Sequence, residues 1–561
     1  MILNNPIRWA IIIFLGLLIY GQTFQYDFVF DDHMFILYNP VIKDLSQVHL
    51  IWHSYPMTRS LGFFSFALNY ALGGFSPIGY HVFNLIVHFI AVGLVWALAG
   101  LLFRITKISL VGASKELPFI IAVLFLVHPC QTQAVSYISQ RFESMATIFY
   151  LGAMYSYLSA RVSTQIGNRA LLFGLSGLLT ILGILTKEVV ITVPAMMLAS
   201  EWILFPKKTN PRPYIIVSIA AILLYLLFTK LVYTDLSIFL RPAVSLSHDG
   251  DILTPSHYLL TQLRVFLTFL RLLVLPIHQN LDYDYPASTG LLQPPLTLLG
   301  AVGIIGIITL IFKLRRSYPL ISFGLAWVLI TFSINLAPRA NVIFEHKLYL
   351  ISFGFFLAFV MTMNELIKDR KILMRVFACL IMVLSLVSFQ RNKIWKDEIS
   401  LWSDIVQKSP HKARGYINLA LAYKAKGDLP QAMSAYDQAI EAEPDFADAY
   451  YNRGLEYYRQ GDLVRAFADF NKVIAINPVY AEAYNNRGLV YFYRGDLGRA
   501  LADDDKAIAI NPGYGAALIN RAIIYYSSKE YDKAWADVRQ AQVAGSAPNP
   551  AFISALEQAS R

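Results

Sequence analysis

Charge is what this sequence has least of. Only 15% of its 561 residues are Asp, Glu, Lys or Arg, while 56% are hydrophobic. A soluble domain carries about 25% charged residues, so an ordinary soluble enzyme is excluded. Cysteine is nearly absent. Cys130 and Cys379 lie in or beside apolar segments and offer neither a disulfide framework nor a zinc pattern. The histidines give no metal motif either: His81 and His88 are two helical turns apart and read as packing against neighbours. The first apolar run, IRWAIIIFLGLLIYG, lacks a small-residue cleavage site and reads as a retained helix. The net charge of +10 is no nucleic-acid signature. Its basic residues cluster in the short loops PKKTNPRP (206–213), KLRRS (313–317) and KDRK (368–371), the bias expected of cytoplasmic loops.

What the chain does have is apolar segments long enough to cross a bilayer as helices. They fall near 7–22, 81–103, 117–130, 142–160, 168–186, 188–204, 213–233, 295–313, 319–336, 346–366 and 372–389. The segment 258–276 is interrupted by Arg264 and Arg271 at helical spacing and reads as interfacial or re-entrant. The count is therefore about eleven spans, which places all three basic loops on one side with the N-terminus. The expected fold is all-α: a polytopic membrane domain over 1–390, then a soluble domain over 391–561. On this topology the loop after the first helix and the soluble domain both face the periplasm or lumen.

The soluble domain is a repeat array. Pro410, Pro444, Pro478 and Pro512 recur every 34 residues, as do Gly427, Gly461 and Gly495, Ala432, Ala466, Ala500 and Ala534, and Tyr423, Tyr457, Tyr491 and Tyr525. This is the tetratricopeptide period, paired helices stacked into an α-solenoid. About four repeats start from Ala413, and SLWSDIVQKSP (400–410) supplies the second helix of a partial one. Asn418, Asn452, Asn486 and Asn520 form a further ladder on the first helix of each unit. A row of amides, each both donor and acceptor, could hold an extended peptide by its backbone. The blander reading is that they solvate a groove or bond neighbouring repeats.

Ionisable residues at membrane-helix ends are functional candidates by default. In FVFDDHMF (28–35), Asp31 and Asp32 stand side by side just after the first helix, and the same loop region adds Arg59, His81 and His88. HPCQTQAVSYISQRFES brings His128, Arg141 and Glu143. LTKEVVITVP brings Lys187 and Glu188. PRANVIFEHKLYL brings Arg339, Glu345, His346 and Lys347. Cations beside carboxylates suit an anionic lipid-linked substrate, with Arg, Lys and His on phosphate and a carboxylate taking a proton from a hydroxyl. Ion pairs that merely hold helices together would look the same. A carboxylate pair could also bind a divalent cation through oxygen, although this chemistry does not require one.

These stretches, with FDDHMFILYNP, MTRSLGFFSFALNYALGGFSPIGYHVFNLIVH, LTQLRVFLTFLRLLVLPIHQNLDYDYP and FEHKLYLISFGF ahead of tetratricopeptide repeats, resemble the transmembrane and tetratricopeptide repeat-containing protein O-mannosyltransferases and their bacterial relatives. The resemblance implies a GT-C glycosyltransferase with a polyprenyl- or dolichyl-phosphate sugar donor and an active site on the outer face. It places Asp31 and Asp32 on the family's acidic motif and Arg59 on the Arg of a Tyr-Arg-Pro-Leu-like stretch. It sets Arg141 and Glu143 on a Gly-Arg-Ala-Glu-like motif, and Lys187 and Glu188 on a Lys-Glu pair. Glu345 falls on the Glu of an Ala-Glu-Arg-like run, with His346 and Lys347 following. Ser60, Phe142 and His346 depart from the family's usual residues. The implied mechanism makes one of Asp31 and Asp32 the base and the other its support, with Asp31 preferred as the base. Arg141, Lys187 and Lys347 bind phosphate, and Asp282 and Asp284 of LDYDYP shape an entrance. The acceptor would be Ser or Thr of a protein held by the repeats. Two other functions compete: an oligosaccharyltransferase or ligase using a lipid-pyrophosphate glycan, and a non-enzymatic membrane scaffold.

Overall fold

The computed structural model describes residues 5–108, 115–205, 253–337 and 341–561. The crossing expected at 213–233, the basic loop 206–213 and Arg339 lie outside the described residues. No strand is present among those described, and the chain divides into two compact units, Met1–Asp404 and Ile405–Arg561.

In the first unit, proline starts many of the helices. Pro77, Pro255 and Pro319 each stand at a helix N-terminus, where the missing N–H costs no hydrogen bond and the fixed φ already suits a helix. Among the described residues, eight helices are long and apolar enough to cross a membrane: Asn5–Gln25, Pro77–Ile105, Ile166–Ile184, Pro255–Val274, Leu296–Leu314, Pro319–Leu336, Glu345–Leu366 and Arg370–Trp395. A ninth arises if the pair Leu117–Val127 and Pro129–Ser136, bent by 56°, is one span. This is a multi-pass membrane architecture.

Three segments differ from the sequence expectation. The crossing expected at 142–160 is the 22-residue helix Arg141–Val162, long enough but not among these apolar spans. The helix Pro255–Val274 qualifies as a span by length and composition, although its arginines argued otherwise. The protein accommodates both charges. Arg264 donates to Pro286 O at 2.8 Å and lies over the Tyr285 ring, and Arg271 donates to Ile277 O at 3.0 Å. The crossing expected at 188–204 is a short 3-10 turn followed by a twelve-residue helix, Val193–Leu204, only about 18 Å long at 1.5 Å per residue.

Every residue of the helix Leu117–Val127 is buried, as expected of a helix that is apolar all round and sits at a bundle centre. By contrast, only 11% of Ile166–Ile184 and 17% of Leu296–Leu314 are buried, so those helices present their apolar side chains outward. Pro319–Phe332 and Leu348–Leu366 cross at backbone contact. A Cβ on Gly324 would lie 2.4 Å from the Gly354 carbonyl oxygen. With no hydrophobic drive between helices in lipid, small residues at such crossings let close packing do the work.

The second unit is four helix pairs, from Ala413–Ala425 with Leu429–Ala442 to Gly515–Ser527 with Tyr531–Val543, closed by Pro550–Ala559. The sequence ladders now have causes. Gly427, Gly461 and Gly495 adopt φ of +81°, +80° and +78° after each first helix, a conformation that suits glycine. Asp428, Asp462 and Asp496 then cap the second helices by accepting from Gln431, Arg465 and Arg499 N–H. In the fourth repeat Lys529 takes the glycine's place at φ +64°, and Glu530 makes no side-chain cap. Ala432, Ala466, Ala500 and Ala534 are fully buried.

Candidate active site

One buried segment ties together nearly all the charge clusters. After the helix Leu117–Val127, Pro129 forces a bend. Residues His128 to Gln140 then run through short turns before the helix Arg141–Val162 carries the segment on to Glu143. Irregular backbone at that depth is tolerable only where protein surrounds it, and here it does. His128 Nε2 pairs with Leu273 O at 3.2 Å, Gln131 donates to Ser352 Oγ at 2.9 Å, and Ser136 donates to Asn392 at 2.5 Å.

The first cluster is the Asp loop. Asp32 is fully buried and accepts from Val29 N (3.1 Å), Ser139 N (2.7 Å) and the Ser139 hydroxyl. Burial nevertheless raises its pKa to about 7, against the lowering effect of those bonds. Asp31 is half-buried, and its N–H donates to the Tyr137 hydroxyl at 3.1 Å. Burial, then the Asp31 and Asp32 carboxylates, push that phenol well above its ordinary range, so it stays neutral. The two aspartates therefore differ: Asp32 fastens the loop to the central segment, and Asp31 has solvent access.

At the far end of the segment, Glu143 and Lys187 form a buried ion pair, Oε2 to Nζ 2.8 Å. Glu143 Oε1 has no hydrogen-bond partner among the described residues, so the buried carboxylate depends on Lys187 for its charge balance. Glu188, next to it, is half-buried.

Glu345 is the third cluster. It is buried and accepts from Asn280 N (2.6 Å), Gln279 Nε2 (3.1 Å) and the Tyr283 hydroxyl. Gln279 also donates to Pro129 O at 3.3 Å, which returns this cluster to the central segment. Burial, then Glu345, push the Tyr283 phenol well up. His346 and Lys347 are buried beside it, with Lys347 Nζ 5.3 Å from the Phe344 ring centre.

Arg141 and Arg59 sit differently. Arg141 is fully buried, donating to Asn84 Oδ1 (2.6 Å), Ser65 O and Oγ (3.3 and 3.2 Å) and Tyr80 O (3.0 Å), and packed on the Phe66 and Phe83 rings. Its guanidinium is engaged in fastening Ser60–Gly73 to Pro77–Ile105, so a direct phosphate contact would require these bonds to break. Arg59 is half-buried and lies over Phe142, 5.4 Å from the ring centre. His88 is a packed residue as read from sequence, bonded to Tyr349 at 2.6 Å. Among the described residues no group of three or more His, Cys, Asp or Glu could hold a metal ion.

The Asn ladder lies on the first helices, half-exposed. Asn418, Asn452 and Asn486 donate to the carbonyl one turn back, of Arg414, Asp448 and Glu482, at 2.8–2.9 Å, and Asn520 donates to Asn485 at 2.8 Å. The NH2 groups therefore bond the protein itself.

Sequence reasoning passed over a stronger ladder beside it. Arg453, Arg487 and Arg521 each form a two-pronged bond to Asp469, Asp503 and Asp537, while the third nitrogen reaches back to Asp437, Asn471 and Asp505. Each guanidinium fork thus joins the two helices of its own repeat, and the third nitrogen ties that repeat to the one before. Its signal was the recurring Asn-Arg pair, of which only the Asn drew attention.

The tetratricopeptide repeat family matches residues 420–461, 447–480 and 481–511. Across the greater part of the chain, the Caenorhabditis elegans protein O-mannosyl-transferase F38B6.6 is 26% identical over 453 residues, 74% of this chain and 60% of that protein. Over about three quarters of its length this chain is similar to protein O-mannosyl-transferases. Human protein O-mannosyl-transferase TMTC3 is 24% identical over 490 residues, 75% of this chain and 50% of the relative, and human TMTC4 is 29% identical over 210 residues, 34% of this chain and 28% of the relative. The chain spans between half and three fifths of the length of the F38B6.6 and human TMTC3 proteins.

Proposed function

We infer that this chain is a membrane protein O-glycosyltransferase, moving mannose from a polyprenyl-phosphate donor to Ser or Thr hydroxyls of a protein bound by the repeats. Beside the similarity to protein O-mannosyl-transferases, one observation carries this reading. Asp31–Asp32, Glu143–Lys187 and Glu345 are all attached to the single buried segment His128–Glu143. A glycosyl phosphate already holds a good leaving group. The protein must align the acceptor, exclude water, take a proton and balance charge on the departing phosphate.

Asp31, the solvent-reached member of its pair, is the base. It takes the proton of the acceptor hydroxyl as that oxygen bonds the anomeric carbon. The bond from that carbon to the phosphate oxygen breaks, and polyprenyl phosphate leaves with the electron pair. The anomeric configuration inverts. Lys187 and Lys347, with His346 and Arg59, are the cations for the phosphate, and Glu143, Glu188 and Glu345 orient them and the sugar. Arg141 serves this site by holding its wall. The active face and the repeats lie on the periplasmic or lumenal side. The Asn ladder presents its carbonyl oxygens to an extended acceptor peptide.

The test is transfer in vitro from defined polyprenyl-phosphate mannose, read by intact mass of candidate acceptors. A gain of one hexose supports the reading. A multi-sugar block would replace it with oligosaccharide transfer, and no gain with any acceptor would favour a scaffold.

A further inference from the structure

The loop that carries Asp31 and Asp32 is held from its other side by residues that no sequence motif singled out. Asp27 N–H donates to Lys396 O at 3.1 Å. Phe30 N–H donates to Glu398 Oε1 at 2.6 Å, and the second oxygen of that carboxylate accepts from Trp402 Nε1–H at 2.5 Å. His33 Nδ1 lies 3.6 Å from Glu398 Oε1. Trp402 meets the Phe30 ring edge-on at 5.2 Å, and Trp395, fully buried, stacks on Tyr137 at 5.2 Å. All of these residues lie in the first compact unit, and Lys396, Glu398 and Trp402 follow directly on the last apolar helix.

Phe30 is also one of the few non-glycine residues here with positive φ, +52°. L side chains avoid that region, and it persists only where the surroundings over-determine it. At Phe30 the surroundings are the Glu398 carboxylate on its N–H and Trp402 against its ring. The strained residue immediately precedes Asp31, so its conformation sets the direction in which the Asp pair leaves the chain.

We propose that Glu398 is a positioning residue for the reaction: its carboxylate fixes the left-handed turn at Phe30 and thereby aims Asp31 at the acceptor hydroxyl. The proposal rests on the reading of Asp31 as the base. Glu398 touches neither sugar nor acceptor. It acts through Phe30 and Trp402, with one oxygen for each N–H, a division that a carboxylate makes and an amide does not.

The experiment uses the full chain in detergent with Glu398→Ala and Glu398→Gln, read by mannose transfer and by amide hydrogen exchange over residues 27–38. In Glu398→Ala, exchange in 27–38 should speed up while the buried helix Leu117–Val127 keeps its protection, and kcat should fall by about 10- to 100-fold, the scale of small misplacements of a reacting group. KM for the donor should hardly move. Glu398→Gln keeps one acceptor and should fall between wild type and Ala in both readouts. Loss of transfer with unchanged exchange would overturn the positioning role, and so would faster exchange with full transfer. A wild-type chain that transfers nothing would instead sink the functional reading. The exchange arm would still decide whether Glu398 holds the loop.

Discussion

Asp504 occupies a place where the repeat wants a hydrophobe. Tyr436, Phe470 and Val538 stand at the same position in the other repeats, all fully buried. Asp504 is 1% exposed, and neither of its carboxylate oxygens has a hydrogen-bond partner among the described residues. Burial, then Asp503, raise its pKa to about 8 from 3.8. Arg521 opposes this, while Asp505 and Asp537 add to it. The sign follows directly. Between about pH 4 and 8 the folded repeat keeps a proton that the unfolded chain has lost, so stability falls as pH rises through that window. At about 1.4 kcal/mol per unit, the cost at pH 7 is on the order of 4 kcal/mol relative to pH 4. Asp504→Phe restores the arrangement of Phe470 against Gly454, because Gly488 stands opposite Asp504 in the same way. Hydrogen exchange over Ala481–Ser527 in the full chain, corrected for intrinsic rates, is the assay. Wild-type protection should fall by up to about tenfold per pH unit from 5 to 8. Asp504→Phe should remove that slope and raise protection at pH 7. A flat wild-type profile, or a variant that follows the same slope, would refute the reasoning.

Asp31→Asn should lower transfer by at least about 100-fold with the fold intact by exchange, since a general base contributes about 10²–10⁴; normal transfer would remove Asp31 from that role. Asp32→Asn should lose transfer too, but with faster exchange around Val29 and Ser139, whose N–H groups it binds; undisturbed exchange there would show that Asp32 does not fasten the loop. Lys187→Met should leave Glu143 buried without its cation, destabilising the first unit by about 3–5 kcal/mol, while Glu143→Gln with Lys187→Met should recover much of that loss; thermal unfolding in detergent compares them. Arg487→Ala removes bonds to Asp503 and Asn471 and should loosen the middle repeats by about 2 kcal/mol, read by exchange in Leu463–Ile476 and Leu497–Ile510.

Much of the architecture was legible because it rests on periodic signals. The 34-residue ladders located the helix pairs, and the apolar runs located most of the membrane helices. What escaped was decided by contacts far apart in sequence. Arg264 looked like an objection to a span until Pro286 and Tyr285 were seen to accommodate it. Arg141 reads as a phosphate ligand in the sequence because a cation beside Glu143 at a membrane-helix end invites that role; its partners Asn84, Ser65 and Tyr80 are 57 to 76 residues away. Glu398 belongs to no motif, and only folding brings it to Phe30. Asp504 was visible in the register of the repeats, hidden in the run of three aspartates 503–505.

The thread from His128 to Glu143 sets every distance between the charge clusters at once. Cutting one of its tethers therefore changes a shared length rather than a private contact. Double-mutant cycles that pair Gln131, Ser136 or Ser139 with Lys187 or Glu345 should show stronger non-additivity than separate sites, which ordinarily add. Separation along the thread should then predict, better than separation in space, which substitutions are independent.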